Sequence, residues 1–139
     1  MVLSMNKNDY FSSPRLQIAL DLLNLNTALK IALKVKESVD IFEAGTPLIK
    51  SEGIKVVSEI KRSLPDKLAL ADMKTLDVGW TEVSMAAEAG ADIVSVSGLA
   101  PDEVIQESAR AAKERNVLLE ADLLGVKDQI ERAIELKKV

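Results

Sequence analysis

Five short apolar runs alternate along the chain with segments of helical periodicity, and this rhythm constrains the fold most. The apolar runs predict β-strands at 16–20, 40–44, 68–72, 92–96 and 117–121. The segments after them predict helices over 27–36, 51–63, 81–88, 101–115 and 126–138. Each connection is long enough to return the chain for a parallel strand. The pattern therefore predicts an α/β fold, either a (β/α) barrel of TIM type or an open doubly wound sheet.

The composition narrows the class of protein. The chain has 139 residues, enough for one domain, and its 47% hydrophobic but only 3% aromatic residues predict an aliphatic core. We interpret residues 1–14 as a flexible polar N-terminal tail without the apolar stretch of a signal peptide, and 15–139 as the domain. No apolar run approaches the ~20 residues that span a bilayer, so no membrane partner is expected.

The net charge of the chain and the residue types that it lacks argue against several functions. The net charge is −4 and no dense Lys/Arg tract occurs, which argues against binding to nucleic acid. The chain has no cysteine, which excludes disulfides and thiolate metal sites and fits a cytoplasmic location. It has no histidine either, so a general base from this chain must be a carboxylate, a lysine or a tyrosine. No Gly-x-Gly-x-x-Gly follows the first strand, which disfavours a dinucleotide-binding sheet.

The third predicted strand runs directly into the charged motif Asp72-x-Lys74-x-x-Asp77. Because alternate side chains of a strand share a face, Asp72 and Lys74 project on the same side at its carboxyl end. Functional side chains of α/β folds lie at these ends, and opposite charges this close keep each other ionised. The alternative interpretation is a surface salt bridge at the end of a strand.

Acids also end three other predicted strands, at Asp21, Glu43 and Asp122. If the sheet curls into a barrel, these carboxylates converge with Asp72 and Lys74 at one opening, the mouth of the barrel at the carboxyl ends of the strands. Clustered carboxylates repel unless a cation is shared, and Mg²⁺ suits one or two carboxylates completed by substrate oxygens. Lys74 would then supply a positive charge to a developing oxyanion. The alternative is that each acid is an ordinary solvated loop residue.

Two residues near this mouth have no single interpretation. Glu120 would point the same way as Asp122 but lie deeper in the barrel, where burying another carboxylate lowers the stability of the fold. No role for Glu120 follows from the sequence. Trp80 is either an exposed loop aromatic or an anchor at an interface. Ordinary core positions are predicted for Met73, Val94 and Val96.

Several segments together point to a known family. They are Ala19-Leu-Asp21, Glu43-Ala-Gly-Thr-Pro47, Ala71-Asp-Met-Lys-Thr-Leu-Asp-Val-Gly79, Glu88-Ala-Gly-Ala-Asp92 and Asp122-x-x-x-Val-Lys-Asp128. On these segments the chain resembles the 3-hexulose-6-phosphate synthase family, in the orotidine monophosphate decarboxylase suprafamily of (β/α)₈ barrels. The Asp-x-Lys-x-x-Asp motif is the mark of the suprafamily, and Glu-x-Gly-Thr-Pro points to the synthase branch. The resemblance extends over nearly the whole chain, about residues 16 to 136.

The resemblance implies an activity, a cofactor and partners. The family joins formaldehyde to D-ribulose 5-phosphate, giving 3-hexulose 6-phosphate, and runs the reverse, as a Mg²⁺-dependent aldehyde-lyase with an enediolate intermediate. It is homodimeric, with active sites at the interface. Matching residue by residue implies metal binding by Glu43 and Asp72, and enediolate stabilisation by Lys74. It also implies that Asp21 and Asp122 hold substrate hydroxyls or the metal's water shell, and that Asp77 reaches into the partner's active site.

The sequence departs from the family's pattern in its later part. A closed barrel of this kind has eight strands in about 250 residues, whereas five are predicted here, an incomplete barrel of about five βα units. The family's histidine and its phosphate site have no counterpart in this chain. We therefore expect a fragment, a natural truncation or a chain completed by another.

Other activities stay open. Decarboxylation of 3-keto-L-gulonate 6-phosphate uses nearly the same residues. Metal-free orotidine monophosphate decarboxylation is disfavoured by Glu43. A truncated, non-catalytic remnant or assembly module is the remaining alternative.

Overall fold

The computed structural model describes residues 13–138, in which five parallel strands and six helices alternate. The predicted N-terminal tail lies outside the described residues up to position 12. The strands, in sheet order and in chain order alike, are β1 Gln17–Leu20, β2 Ile41–Ala44, β3 Leu68–Thr75, β4 Ile93–Ser97 and β5 Leu118–Asp122. The helices are α1 Leu25–Val35, α2 Thr46–Glu52, α3 Lys55–Ser63, α4 Gly79–Glu88, α5 Asp102–Arg115 and α6 Gln129–Leu136.

Both faces of the central strands are buried, as expected for a parallel sheet. On one face, side chains such as Phe42, Ala71 and Val94 pack beneath the helices in the main core. On the other face, Ile41, Leu70 and Ile93 form a smaller apolar cluster. Of the predicted core positions, Val94 and Val96 are fully buried and Met73 packs partly buried against the main core. No helix in residues 13–138 is long and apolar enough to cross a membrane.

The helix predicted over 51–63 is wrong, because two helices occupy this region and the first begins earlier. Helix α2 starts at Thr46, with Pro47 in its first turn, where the missing N–H of proline costs nothing. It ends at Glu52 and is followed by Gly53, whose φ of +82° is a conformation that other residues rarely adopt. The Gly53 N–H donates to the Ile49 carbonyl at 2.7 Å and closes the last turn. Helical periodicity alone does not reveal this break.

Of the two alternatives left open for Trp80, the structure excludes the exposed loop aromatic. Helix α4 begins at Gly79, two residues earlier than predicted, so Trp80 lies in its first turn. Its ring is partly buried against the main core, and the Arg110 guanidinium lies 5.5 Å from the ring centre. Gly79 allows this close approach of α4 and α5, because a Cβ there would lie 2.4 Å from the Val104 carbonyl oxygen.

Strand β3 is longer than predicted and carries an irregularity that positions the site. Ala71 pairs with Val94 and Thr75 pairs with Val96, so three residues of β3 lie opposite the single residue Ser95. Lys74, inside this bulge, has a φ of +47°. Bulges of this kind occur next to functional sites, where they redirect a side chain.

Candidate active site

The ammonium group of Lys74 joins the carboxyl ends of β3 and β5. Its Nζ lies 3.1 Å from Asp72 Oδ1 and 2.5 Å from Asp122 Oδ2. The structure thus brings together three of the residues that the strand-end pattern singled out. Partial burial lowers the pKa of Lys74, but the hydrogen bonds to Asp122 and Asp72 outweigh burial and raise the pKa above its usual value. Lys74 therefore remains protonated in this position.

Asp72 is the most enclosed of the strand-end acids, with 5% of its surface exposed. Its Oδ1 accepts from Ser95 Oγ at 2.8 Å, and its Oδ2 accepts from Thr46 Oγ1 at 2.7 Å. Burial alone would raise the pKa of Asp72. The hydrogen bonds from Thr46, Ser95 and Lys74 together overcome burial and hold the pKa below its usual value. The carboxylate is therefore ionised and fixed in orientation.

Asp122 is held from two sides at the end of β5. Its Oδ2 faces Lys74, and its Oδ1 accepts from the Leu124 backbone N–H at 2.8 Å. The hydrogen bond from Lys74 is the largest cause that lowers the pKa of Asp122, against the opposing effect of partial burial. The ion pair thus fixes the β5 carboxylate relative to β3.

Glu43 lies on β2 beside this network and carries uncompensated charge. Partial burial is the main cause that raises its pKa, and the negative charges of Asp72, Glu120 and Asp21 add to it. A hydrogen bond from Gln17 Nε2 to Glu43 Oε2, at 2.8 Å, opposes the rise in pKa and orients the carboxylate. A nearby cation would therefore stabilise the ionised form of Glu43.

Glu120, for which the sequence offered no role, belongs to the same electrostatic cluster. It lies on β5 opposite Ser95 in the strand register. Although the residue as a whole is exposed on the edge strand, partial desolvation first, and then the charges of Asp72 and Asp122, raise its pKa, while Lys74 acts in the opposite direction. One lysine thus faces several carboxylates, and the negative charge is in excess.

Asp21 and Asp77 lie at the margin of this cluster. Asp21 fits closely against Gly45, where a Cβ would lie only 2.1 Å from Asp21 Oδ1, so a larger residue at 45 would displace this acid. Asp77 is exposed in the loop after β3, and its Oδ1 accepts from the Val78 N–H at 2.7 Å. Within the described chain the structure does not join Asp77 to the Lys74 network.

Sequence reasoning missed Ser95 and Gln17 as parts of this arrangement. Ser95 carried a signal, because it is a polar residue inside the apolar strand 92–96, but its contacts depend on the register with β3. Gln17 shares the inward face of β1 with Ala19, and it reaches Glu43 only because β1 and β2 pair in parallel. Thr46, the first residue of α2, also belongs to the arrangement, because its hydroxyl donates to Asp72.

The donor set suits a hard cation with few protein ligands. Among residues 13–138, no three acidic side chains are grouped closely enough to hold a metal ion alone. Mg²⁺ is usually bound by one or two carboxylates, with waters and substrate oxygens completing the shell. Glu43 and Asp72, on neighbouring strands in an environment of excess negative charge, fit that requirement.

The sheet is parallel, its strand order follows the chain without the reversal of a doubly wound sheet, and acids and a lysine lie at the carboxyl ends of its strands, as in proteins of the (β/α)-barrel class. Within that class, the chain belongs to the orotidine 5'-phosphate decarboxylase / HUMPS family, which it matches over residues 14–138. The barrel prediction and the family resemblance are both confirmed, and the described chain forms part of such a barrel.

Several known proteins are similar to this chain in sequence and in structure. The 3-hexulose-6-phosphate synthase of Mycobacterium gastri is 46% identical over 123 residues, which are 88% of this chain and 59% of that protein. A crystal structure of 3-hexulose-6-phosphate synthase superposes with a TM-score of 0.89 at 46% identity, covering 90% of this chain and 60% of that chain. A 3-keto-L-gulonate-6-phosphate decarboxylase from Vibrio cholerae superposes with a TM-score of 0.80 at 35% identity, covering 91% and 60%. The chain thus spans about three fifths of the length of these relatives.

Proposed function

We propose that this chain carries the acid–lysine site of a Mg²⁺-dependent aldehyde-lyase of the 3-hexulose-6-phosphate synthase type. The reaction joins formaldehyde and D-ribulose 5-phosphate to 3-hexulose 6-phosphate, and also runs in reverse. The observation that carries the proposal is the Lys74 ammonium fixed between Asp72 and Asp122, with Glu43 alongside. The higher identity to the synthase relatives than to the decarboxylase supports this choice of reaction.

The residues of this chain suit the charge that develops in an aldol reaction. Ribulose 5-phosphate loses a proton from the carbon beside its carbonyl, that carbon bonds to formaldehyde, and the formaldehyde oxygen takes up a proton. Lys74 lies where a fixed positive charge would stabilise the enediolate oxygen. Asp122 holds Lys74 in place, and Glu43 and Asp72 would bind the ion. When bound, Mg²⁺ supplies Lewis-acid polarisation of the substrate oxygens.

The direct test is consumption of formaldehyde by the purified protein in the presence of D-ribulose 5-phosphate. We expect turnover with Mg²⁺, loss with EDTA and recovery when Mg²⁺ is added back. Turnover that ignores the chelator would remove the metal from the proposal. Absence of turnover from the wild-type chain under all these conditions would contradict the proposed function.

A second candidate is decarboxylation of 3-keto-L-gulonate 6-phosphate, favoured by the close superposition with the Vibrio cholerae enzyme. Both reactions pass through an enediolate that the same lysine would stabilise. The two substrates should be compared in parallel assays and in competition. A higher kcat/KM for the gulonate derivative would replace the synthase assignment.

We also propose that the protein is a homodimer in which Asp77 completes the partner's site, since Asp77 is exposed and stands apart from Lys74 in its own chain. Mixing Lys74→Ala with Asp77→Ala protein should then restore activity. In half of the dimers one site would be intact, so about a quarter of the wild-type rate is expected after subunit exchange. No recovery, despite mixed dimers detected by native mass spectrometry, would contradict a shared site.

A further inference from the structure

Ser95 carries a buried hydroxyl that contacts two charged residues of β3, Asp72 and Lys74. Only 1% of the residue is exposed. Its Oγ donates to Asp72 Oδ1 at 2.8 Å and accepts from the Lys74 backbone N–H at 2.9 Å. A serine hydroxyl has one proton to donate, so these two contacts fix its orientation.

The contact with Lys74 occurs where the β3–β4 ladder is interrupted. Three residues of β3 bulge opposite Ser95, and the extra residues of a bulge lose their regular ladder partners. The Lys74 N–H finds its acceptor in the Ser95 side chain instead. The φ of +47° at Lys74 is unfavourable for a residue with a side chain, and such a conformation persists only where the surroundings hold it.

We propose that Ser95 is a positioning residue for the reaction, holding the β3 bulge so that the Lys74 ammonium stays between Asp72 and Asp122. This inference rests on the proposed function for its effect on turnover, though not for its effect on the bulge. Without the hydroxyl, the Lys74 N–H loses its acceptor and Asp72 loses one of its donors. Lys74 then no longer has a fixed backbone from which to reach both carboxylates.

Three variants and one control test this role. Ser95→Ala removes the hydroxyl, Ser95→Thr restores it, and Ser95→Cys offers a weaker donor without the extra branch if threonine does not fit. The control is Ser108→Ala, since Ser108 is equally buried but donates to the Val104 carbonyl within α5, away from the site. Unfolding by urea reports the stability of each variant, so that a general loss of folding is recognised.

The kinetic readout separates positioning from packing. We expect kcat of Ser95→Ala to fall about 100-fold, since a displacement of about 1 Å can cost that much, with KM for ribulose 5-phosphate changed little. Ser95→Thr or Ser95→Cys should recover much of the loss, and Ser108→Ala should retain the wild-type kcat. A kcat of Ser95→Ala equal to that of Ser108→Ala would overturn the proposal.

A second measurement needs no substrate. Hydrogen exchange at the Lys74 amide should accelerate at least about tenfold in Ser95→Ala and stay at the wild-type rate in Ser108→Ala. If the wild-type protein shows no turnover, the proposed function fails while this measurement still decides the role of Ser95. Unchanged exchange at the Lys74 amide would overturn the positioning role.

Discussion

Two lysine–aspartate pairs lie at opposite ends of the same sheet. At the amino end, Lys61 of α3 contacts Asp92, which immediately precedes β4, at 2.7 Å. At the carboxyl end, Lys74 contacts Asp72 and Asp122. The side-chain exposures of the two lysines, 31% and 39%, are similar and do not distinguish the pairs.

The surroundings of the two pairs differ. Asp92 Oδ2 also accepts from the Ala69 N–H, and Lys61 also donates to the Lys67 carbonyl, so this pair ties α3 to the starts of two strands. At the carboxyl end, Glu43 and Glu120 add negative charge that Lys74 does not fully compensate. An ion pair indicates a functional site when the charges around it are unbalanced, and a structural role when every charge has its partner.

The largest difference between the two ends is expected from removing each lysine. Lys74→Ala should lower kcat about 1000-fold, because it removes the positive charge next to the developing oxyanion. Lys61→Ala should keep kcat near the wild-type value and lower the free energy of unfolding by about 1 kcal/mol. Steady-state kinetics and urea unfolding on both variants test this, and equal losses of kcat would abolish the distinction.

The matched change of the aspartates should have a smaller effect. Asp72→Asn should lower turnover about 100-fold and weaken Mg²⁺ activation, because a neutral amide is a poor ligand for this ion. Asp92→Asn should leave Mg²⁺ activation unchanged, since its partners are Lys61 and a backbone N–H. Magnesium titrations of the rate give the activation constant. Equal activation constants in wild type and Asp72→Asn would remove Asp72 as a ligand.

The smallest expected effect is on how the free energy of unfolding of the metal-free protein changes with pH. The pKa values of Asp72 and Asp122 lie below 3.8 in the folded state, so their contribution is present above pH 3.8 and is lost as the pH falls further. The pKa values of Glu43 and Glu120 lie above 4.5, so the folded state gains stability as the pH falls through them toward 4.5.

Glu120→Gln isolates part of this effect. The variant should be more stable than wild type near pH 7, by less than about 1 kcal/mol because the site is partly solvated, and the advantage should shrink toward pH 4.5. Glu114→Gln, an exposed acid on α5, serves as the control. Urea unfolding with EDTA at several pH values measures the difference. An advantage for Glu120→Gln that stays constant with pH would contradict the charge excess.

Much of the fold could be predicted because the five strands are apolar runs with polar boundaries. The described strand β2 differs from its predicted range by one residue, because its apolar residues Ile41, Phe42 and Ala44 are buried and the polar Asp40 lies outside it. The break between α2 and α3 could not be predicted, because a lone glycine inside a helical pattern is usually tolerated. Only the backbone shows that Gly53 takes a positive φ.

The candidate site was predictable in its charged members and not in its supports. Alternation along β3 placed Asp72 and Lys74 on one face, and the structure joins them by an ion pair. The bulge that gives Lys74 its geometry depends on how β3 pairs with β4, which residue spacing within one strand does not specify. Ser95 acquires its contacts only through that pairing.

The sequence by itself determined the parallel βα order and the acids and lysine at the strand ends, because periodicity and residue type act locally along the chain. The tertiary structure decided which acid is compensated and which is not. Lys74 reaches Asp122, which lies 48 positions further along the chain, while Glu43 and Glu120 keep excess charge. The physical reason is that electrostatic energy depends on distance and burial in space, and both are set by strand pairing.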